Sequence, residues 1–160
     1  MQELTPTDFN IIKTIKGDLV EFLSKELTVV LFYKNEENRK YSDEFKRVFA
    51  EIEETGFECK FGVINIDEHS EAAEMASQTK TPINYVPYVV IYAQGRPYMS
   101  YGGKIDSIEL VKLITYVQLM QTVTASLQFD AASIVPMYIV KGEPQGDPTQ
   151  EPKGKSQEED

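Results

Sequence analysis

Three short stretches carry apolar, β-branched or aromatic side chains: Leu27 to Tyr33 (LTVVLFY), Phe57 to Ile66 (FECKFGVINI) and Tyr88 to Ala93 (YVVIYA). None approaches the ~20 apolar residues that a membrane-spanning helix needs. They also lack the strict polar alternation of a strand with one face in water, so they read as strands buried on both faces. A sheet built from them needs a covering layer on each side. The intervening segments supply candidates. Tyr41 to Glu54 sets Phe45, Val48, Phe49 and Ile52 at helical spacing, and Thr55-Gly56 ends it with the usual left-handed cap. Asp67 to Gln78 is a short Ala-rich helix with Asp67 or Ser70 as cap.

After the third run, Gln94-Gly95 makes a turn into a fourth short strand, Tyr98 to Tyr101, which gives an antiparallel hairpin. Asp106 or Ser107 then caps a long last helix with Glu109 in its first turn. Before the first run, Phe9, Ile12, Ile15, Leu19, Phe22 and Leu23 follow near-helical spacing. That spacing predicts a helix from Thr7 to about Ser24, capped by Thr7 or Asp8 and interrupted at Gly17. The expected order is αβαβαββα, a four-stranded mixed sheet with helices on both faces.

The last helix is apolar over most of its circumference, so something besides the sheet is expected to cover it. Residues 127–140 (LQFDAASIVPMYIV) are the internal candidate, a partner the external one. Residues 141–160 hold no apolar anchor and read by composition as a disordered tail. The expected organisation is therefore a domain over 1–126, an apolar extension over 127–140 and a polar tail over 141–160. Sixteen Lys and Arg face 26 Asp and Glu, a net charge of −10. That balance repels a phosphate backbone and argues against nucleic acid as a partner. No signal peptide is expected from the first residues, MQELTPTDFN.

The block from Val63 to Ile114 resembles the second half of a thioredoxin. The landmarks are a strand ending in Asn65-Ile66-Asp67, a short helix, Val86-Pro87 before a strand, Gly95 in a turn, and Gly102-Gly103 before the last helix. The strand from Val29 to Tyr33 and the helix over 40–54 fit the first half. The resemblance implies a thioredoxin-like three-layer α/β sandwich over about residues 8–118. It also implies a cis peptide bond before Pro87; the local sequence alone fits a trans proline at a strand start equally well. The two cysteines of a thioredoxin fall, by this alignment, near Glu37 and Lys40. Neither can form a thiolate or attack a disulfide, so dithiol exchange is excluded.

Cys59 is the single cysteine and reads as structural. A one-cysteine oxidoreductase acting through it is the enzymatic alternative. His69, with Asp67, Glu68 and Glu71, resembles a metal cluster only superficially, because one histidine supports no zinc triad and the spacing fits no hard-cation loop. No metal, cofactor or small-molecule substrate is expected.

What remains is surface. The proline loop of the family presents backbone to extended peptides, which here points to Tyr85, Val86 and Pro87 as contact residues. Tyr98, Tyr101 and Met120 are further candidates for partner contact, tyrosine being enriched at interfaces. The segment with Tyr85-Val86-Pro87, then Gln94-Gly95-Arg96-Pro97-Tyr98-Met99, then Tyr101 is similar to thioredoxin-like proteins of large DNA viruses of eukaryotes. That likeness implies a non-enzymatic virion component, a minor-capsid-type adaptor contacting other assembly subunits, assembled in the host cytoplasm. A redox-inactive chaperone or adaptor holding peptides at the proline loop is the alternative, with a cytoplasmic location.

Overall fold

The computed structural model describes residues 1–15, 17–126 and 138–139 of the 160. The extension over 127–140, apart from 138–139, and the tail over 141–160 lie outside the described residues. In chain order the elements are β1 (Gln2–Glu3), β2 (Phe9–Thr14), β3 (Gly17–Phe22), β4 (Thr28–Tyr33), α1 (Arg39–Glu54) and β5 (Lys60–Asn65). Then come α2 (Ser70–Ser77), β6 (Tyr88–Ala93), β7 (Arg96–Tyr101), α3 (Ser107–Ser126) and β8 (Tyr138–Ile139).

The three apolar runs form the centre of one mixed sheet of order β1-β5-β4-β6-β7-β8. β1, β5 and β4 run parallel, β6 is antiparallel to β4, and β7 is antiparallel to β6. Two-residue strands at both edges, β1 and β8, widen the expected four strands to six. Tyr138 and Ile139 lie in parallel register with Met99 and Ser100 of β7.

The strand period sorts the core into two layers. Val29 and Leu31 of β4, Phe61 and Val63 of β5, and Val89 and Ile91 of β6 face α1 and α3. There they meet Phe45, Val48, Phe49 and Ile52 of α1 and Leu110, Ile114 and Val117 of α3. The alternate residues, Val30, Phe32, Ile64 and Val90, face the other way, onto Ala72 and Ala76 of α2 and onto Phe9, Val20 and Phe22.

That second layer corrects the expected first helix. Residues 9–22 form the antiparallel hairpin β2–β3, with Phe9 opposite Phe22 and Thr14 opposite Gly17. Apolar residues at 9, 12, 19 and 22 satisfy a helical period and fit a hairpin too. β-branched Ile11, Ile12, Thr14, Ile15 and Val20 favour the pleat. Gly17, at φ 130°, takes a conformation that side-chain-bearing residues rarely adopt. The hairpin lays an aromatic cluster on the sheet: the Phe9 ring stands 5.4 Å from Phe22, 5.8 Å from Phe32 and 6.1 Å from Tyr92.

The turn into β7 follows its sequence. Gln94 and Gly95 both have positive φ, 54° and 84°, the two-residue arrangement whose twist matches a hairpin. Asp106 caps α3 through its carboxylate, which accepts the Glu109 N–H at 3.1 Å. The face of α3 toward the sheet is sealed, whereas Ile108, Tyr116 and Leu119 stay 64%, 47% and 60% exposed.

Candidate functional site

β4 and β5 end side by side, and two loops meet above them: residues 34–38, leading into α1, and the loop carrying Val86 and Pro87. The Val86–Pro87 peptide bond is cis. Asn38 stands just before α1 in the left-handed region, at φ 52°, which asparagine tolerates better than most residues. Its side-chain nitrogen donates to the Val86 carbonyl at 2.8 Å, tying the helix start to the proline loop.

Below it lies a second set of bonds. The Asn35 N–H donates to the Asp67 carboxylate at 2.8 Å. Asn65, only 8% exposed, donates from Nδ2 to the Asn35 side-chain oxygen at 2.7 Å. Its own Oδ1 accepts the backbone N–H groups of Asp67 and Glu68 at 2.9 and 3.3 Å. Each asparagine is thus both donor and acceptor or is held by backbone, and the loop geometry is over-determined.

Glu37 and Lys40 are both exposed on this loop and the first turn of α1. Glu37 pairs with Lys34 at 3.5 Å, an exposed contact worth little. No thiol stands in these loops, the single cysteine being Cys59. Cys59 lies at the other end of the sheet, just before β5 begins, whereas the loops sit beyond its last residue. The intervening strand spans about 20 Å. The Cys59 thiol donates toward the Lys60 and Leu27 carbonyls, at 3.4 and 3.8 Å. Burial pushes its pKa up to about 12, against a smaller lowering by backbone hydrogen bonds.

The expected contact residues separate into two groups. Tyr85 is half-buried and meets Tyr88 edge-on, 5.4 Å between centroids. It borders a cleft of about 390 Å³ with Ile66, Ala73, Ile83 and Val86. The side chains of Val86 and Pro87 are buried, Val86 to 1% exposure, so contact there falls to the backbone. The Val86 carbonyl accepts from Asn38 and keeps a second lone pair.

Tyr98, Tyr101 and Met120 are not brought to this loop. Tyr98 and Tyr101 pack on the α1/α3 side of the sheet, opposite the layer that holds Val86 and Tyr88. Tyr101 is 4% exposed, which corrects its assignment as a contact. Its ring stands edge-on to Phe45 at 6.2 Å, and its hydroxyl donates to the Lys104 carbonyl. Burial, then the Glu109 and Asp106 carboxylates, push its pKa up to about 12. Tyr98 and Met120 are half-buried. His69 holds the position before α2 without a side-chain cap bond. Among the described residues no three carboxylate, imidazole or thiol groups converge as a metal site.

Asn35, Asn38, Asn65 and Asp67 were not singled out together by sequence. Their signal was faint: two asparagines in a polar loop and an Asn-Ile-Asp strand end 30 residues apart.

The strand order, the antiparallel β6–β7 pair, the helices on the α1/α3 face and the cis proline facing the α1 start match the layout that the resemblance implies. By that strand order and those directions the fold is thioredoxin-like. A crystal structure of human ERp44 aligns with a TM-score of 0.47 at 19% identity, over 57% of this chain and 27% of that one. The J-Trx1 fragment of ERdj5 aligns with a TM-score of 0.46 at 19% identity, over 65% and 45%. In sequence, Uncharacterized protein 196R of Invertebrate iridescent virus 6 is 30% identical over 97 residues, 61% of this chain and 55% of the relative. The chain thus spans about half the length of that curated relative. No family model matches the sequence.

Proposed function

We infer that this chain is a non-enzymatic interaction protein built on a thioredoxin-like fold, and that it works as a component of a virus particle, in contact with other assembly subunits. One observation carries the first half. At the positions of the redox pair stand Glu37 and Lys40, and the loop that would move in a dithiol cycle is fastened by Asn38 to Val86 and by Asn35 to Asp67. The remaining thiol is about 20 Å away along β5 and held protonated by burial. The likeness to a protein of Invertebrate iridescent virus 6 supports the second half. A peptide-holding role at the proline loop is the second reading, the Val86 carbonyl keeping one lone pair beside its bond from Asn38.

Two measurements test the reading. Insulin-disulfide reduction with the full chain should stay at the reductant-only rate; turnover that disappears in Cys59→Ser overturns the non-enzymatic half. Density-gradient fractionation of the native source should place the chain in particles at fixed stoichiometry. Recovery wholly as a free species overturns the particle half.

A further inference from the structure

We propose that the cleft of about 390 Å³ beside Tyr85 seats a lysine or arginine side chain from an extended, basic segment of a partner protein. The proposal names the partner's chemistry for the interaction role above and rests on that reading. The loop before α1, the β5–α2 connection, α2 and residues 83–86 border the cleft. Its volume lies within the range of ligand clefts.

The charges of the lining do not cancel. One basic residue, Lys34, stands against three acidic ones, Glu37, Asp67 and Glu74. Lys34 pairs with Glu37 at 3.5 Å, which leaves the Asp67 and Glu74 carboxylates. Both of those residues are exposed, so a ligand in the cleft can reach them. Asp67 accepts the Asn35 N–H at 2.8 Å, a bond that keeps its charge in place. Glu74 makes no ion pair among the described residues. The surroundings keep the sign. Arg39 is met by Glu36 at 3.8 Å and by Asp43 at 3.7 Å, and Lys40 brings one positive charge against the negative charges of Glu68 and Glu71. The amino end of α2 contributes about +0.5 of a charge, too little to balance two carboxylates.

Carboxylates on an open surface are solvated and select little. Here they share a cleft with apolar Ile66, Ala73 and Ile83, which are buried or half-buried beneath the exposed acids. Lysine and arginine match that combination, because their methylene stems lie along apolar surface while the charged head stays at a polar edge. An apolar or acidic side chain would leave the two carboxylates uncompensated. A protein segment, unlike a free amine, also brings the residues on either side of its cation to Asn84 and Tyr85, which line the same cleft. The net charge of −10 steers such a segment toward the chain, most strongly at low salt.

The test is a titration of the full chain with a capped five-residue peptide, one central lysine between valines, followed by amide NMR at constant ionic strength. Saturable shifts should centre on Asp67, Ala73, Glu74 and Tyr85. Replacing the lysine by norleucine keeps the stem, deletes the charge and should weaken binding about fivefold. Glu74→Gln should weaken it about threefold, whereas Glu51→Gln, the same charge change at an exposed site on α1 outside the cleft, should leave it unchanged. Equal binding of the norleucine peptide, equal losses in the two variants, shifts that stay linear or centre elsewhere, or butylammonium binding as tightly as the peptide each overturn the proposal. Failure here is separable from failure of the reading it rests on. A chain that ignores the peptide yet fractionates with particles sinks the cleft alone, and one that binds the peptide yet fractionates free sinks the particle role.

Discussion

Asn38 holds a left-handed backbone conformation and also donates to Val86, and the two contributions separate by substitution. Asn38→Gly keeps the backbone at ease and deletes the bond, so it should cost about 1 kcal/mol. Asn38→Ala adds the left-handed penalty and should cost roughly 1–2 kcal/mol more. Urea midpoints of the two variants check the order; an alanine variant as stable as the glycine variant contradicts it.

Cys59 gives a kinetic counterpart. Its pKa rises from the ordinary 9.0 to about 12, which cuts the thiolate fraction while raising the nucleophilicity of what remains. Iodoacetamide at pH 8 should therefore react about 50-fold more slowly with the folded chain than with the urea-unfolded one. The same shift sets a pH dependence. Its contribution to stability is fully present below pH 9 and is lost as pH rises toward about 12, because the unfolded chain releases the proton first. Denaturation midpoints from pH 8 to 11 read this directly when compared with Cys59→Ala.

Among the elements, α3 shows how far burial differs within one apolar helix. Leu110 is 0% and Leu119 60% exposed. Leu110→Ala should cost about 2–5 kcal/mol and Leu119→Ala no more than about 0.5, measured by thermal or denaturant unfolding. Equal losses would mean that the outer face of α3 is packed.

At the opposite edge, β1 depends on a missing side chain. A Cβ on Gly62 would come within 2.7 Å of Leu4 Cδ1, and the Leu4 N–H donates to the Val63 carbonyl at 2.8 Å. Gly62→Ala should push β1 off β5 and cost about 1–3 kcal/mol. Hydrogen exchange should then rise at Leu4 while the centre of β4 stays protected.

The complete molecule carries 26 acidic against 16 basic residues, and the ion pairs among the described residues are mostly exposed contacts between residues three or four apart in sequence. Those pairs contribute little, and the excess negative charge opposes compaction. Raising NaCl from 20 to 300 mM should lift the melting midpoint by about 1–3 °C. A falling midpoint would mean that the ion pairs outweigh the repulsion.

The central strands, α1, α2, α3 and the β6–β7 turn were legible along the chain, because each rests on neighbours within one period of its own residues. Continuous runs such as Thr28–Tyr33 can only be buried on both faces, and Gln94-Gly95 can only turn. The lack of a cysteine pair was equally legible, since the sequence holds one cysteine, Cys59. Residues 9–22 were not, because their apolar spacing fits helix and hairpin alike; the aromatic face of β4 and β6 chose the hairpin. Nor was the burial of Val86 and Tyr101, nor the bonds joining Asn35 to Asn65 and Asp67 and Asn38 to Val86 across some 30 to 48 residues. Hydrogen bonds and covering layers of that kind arise between segments that meet only in space, and no local pattern encodes which segment will arrive.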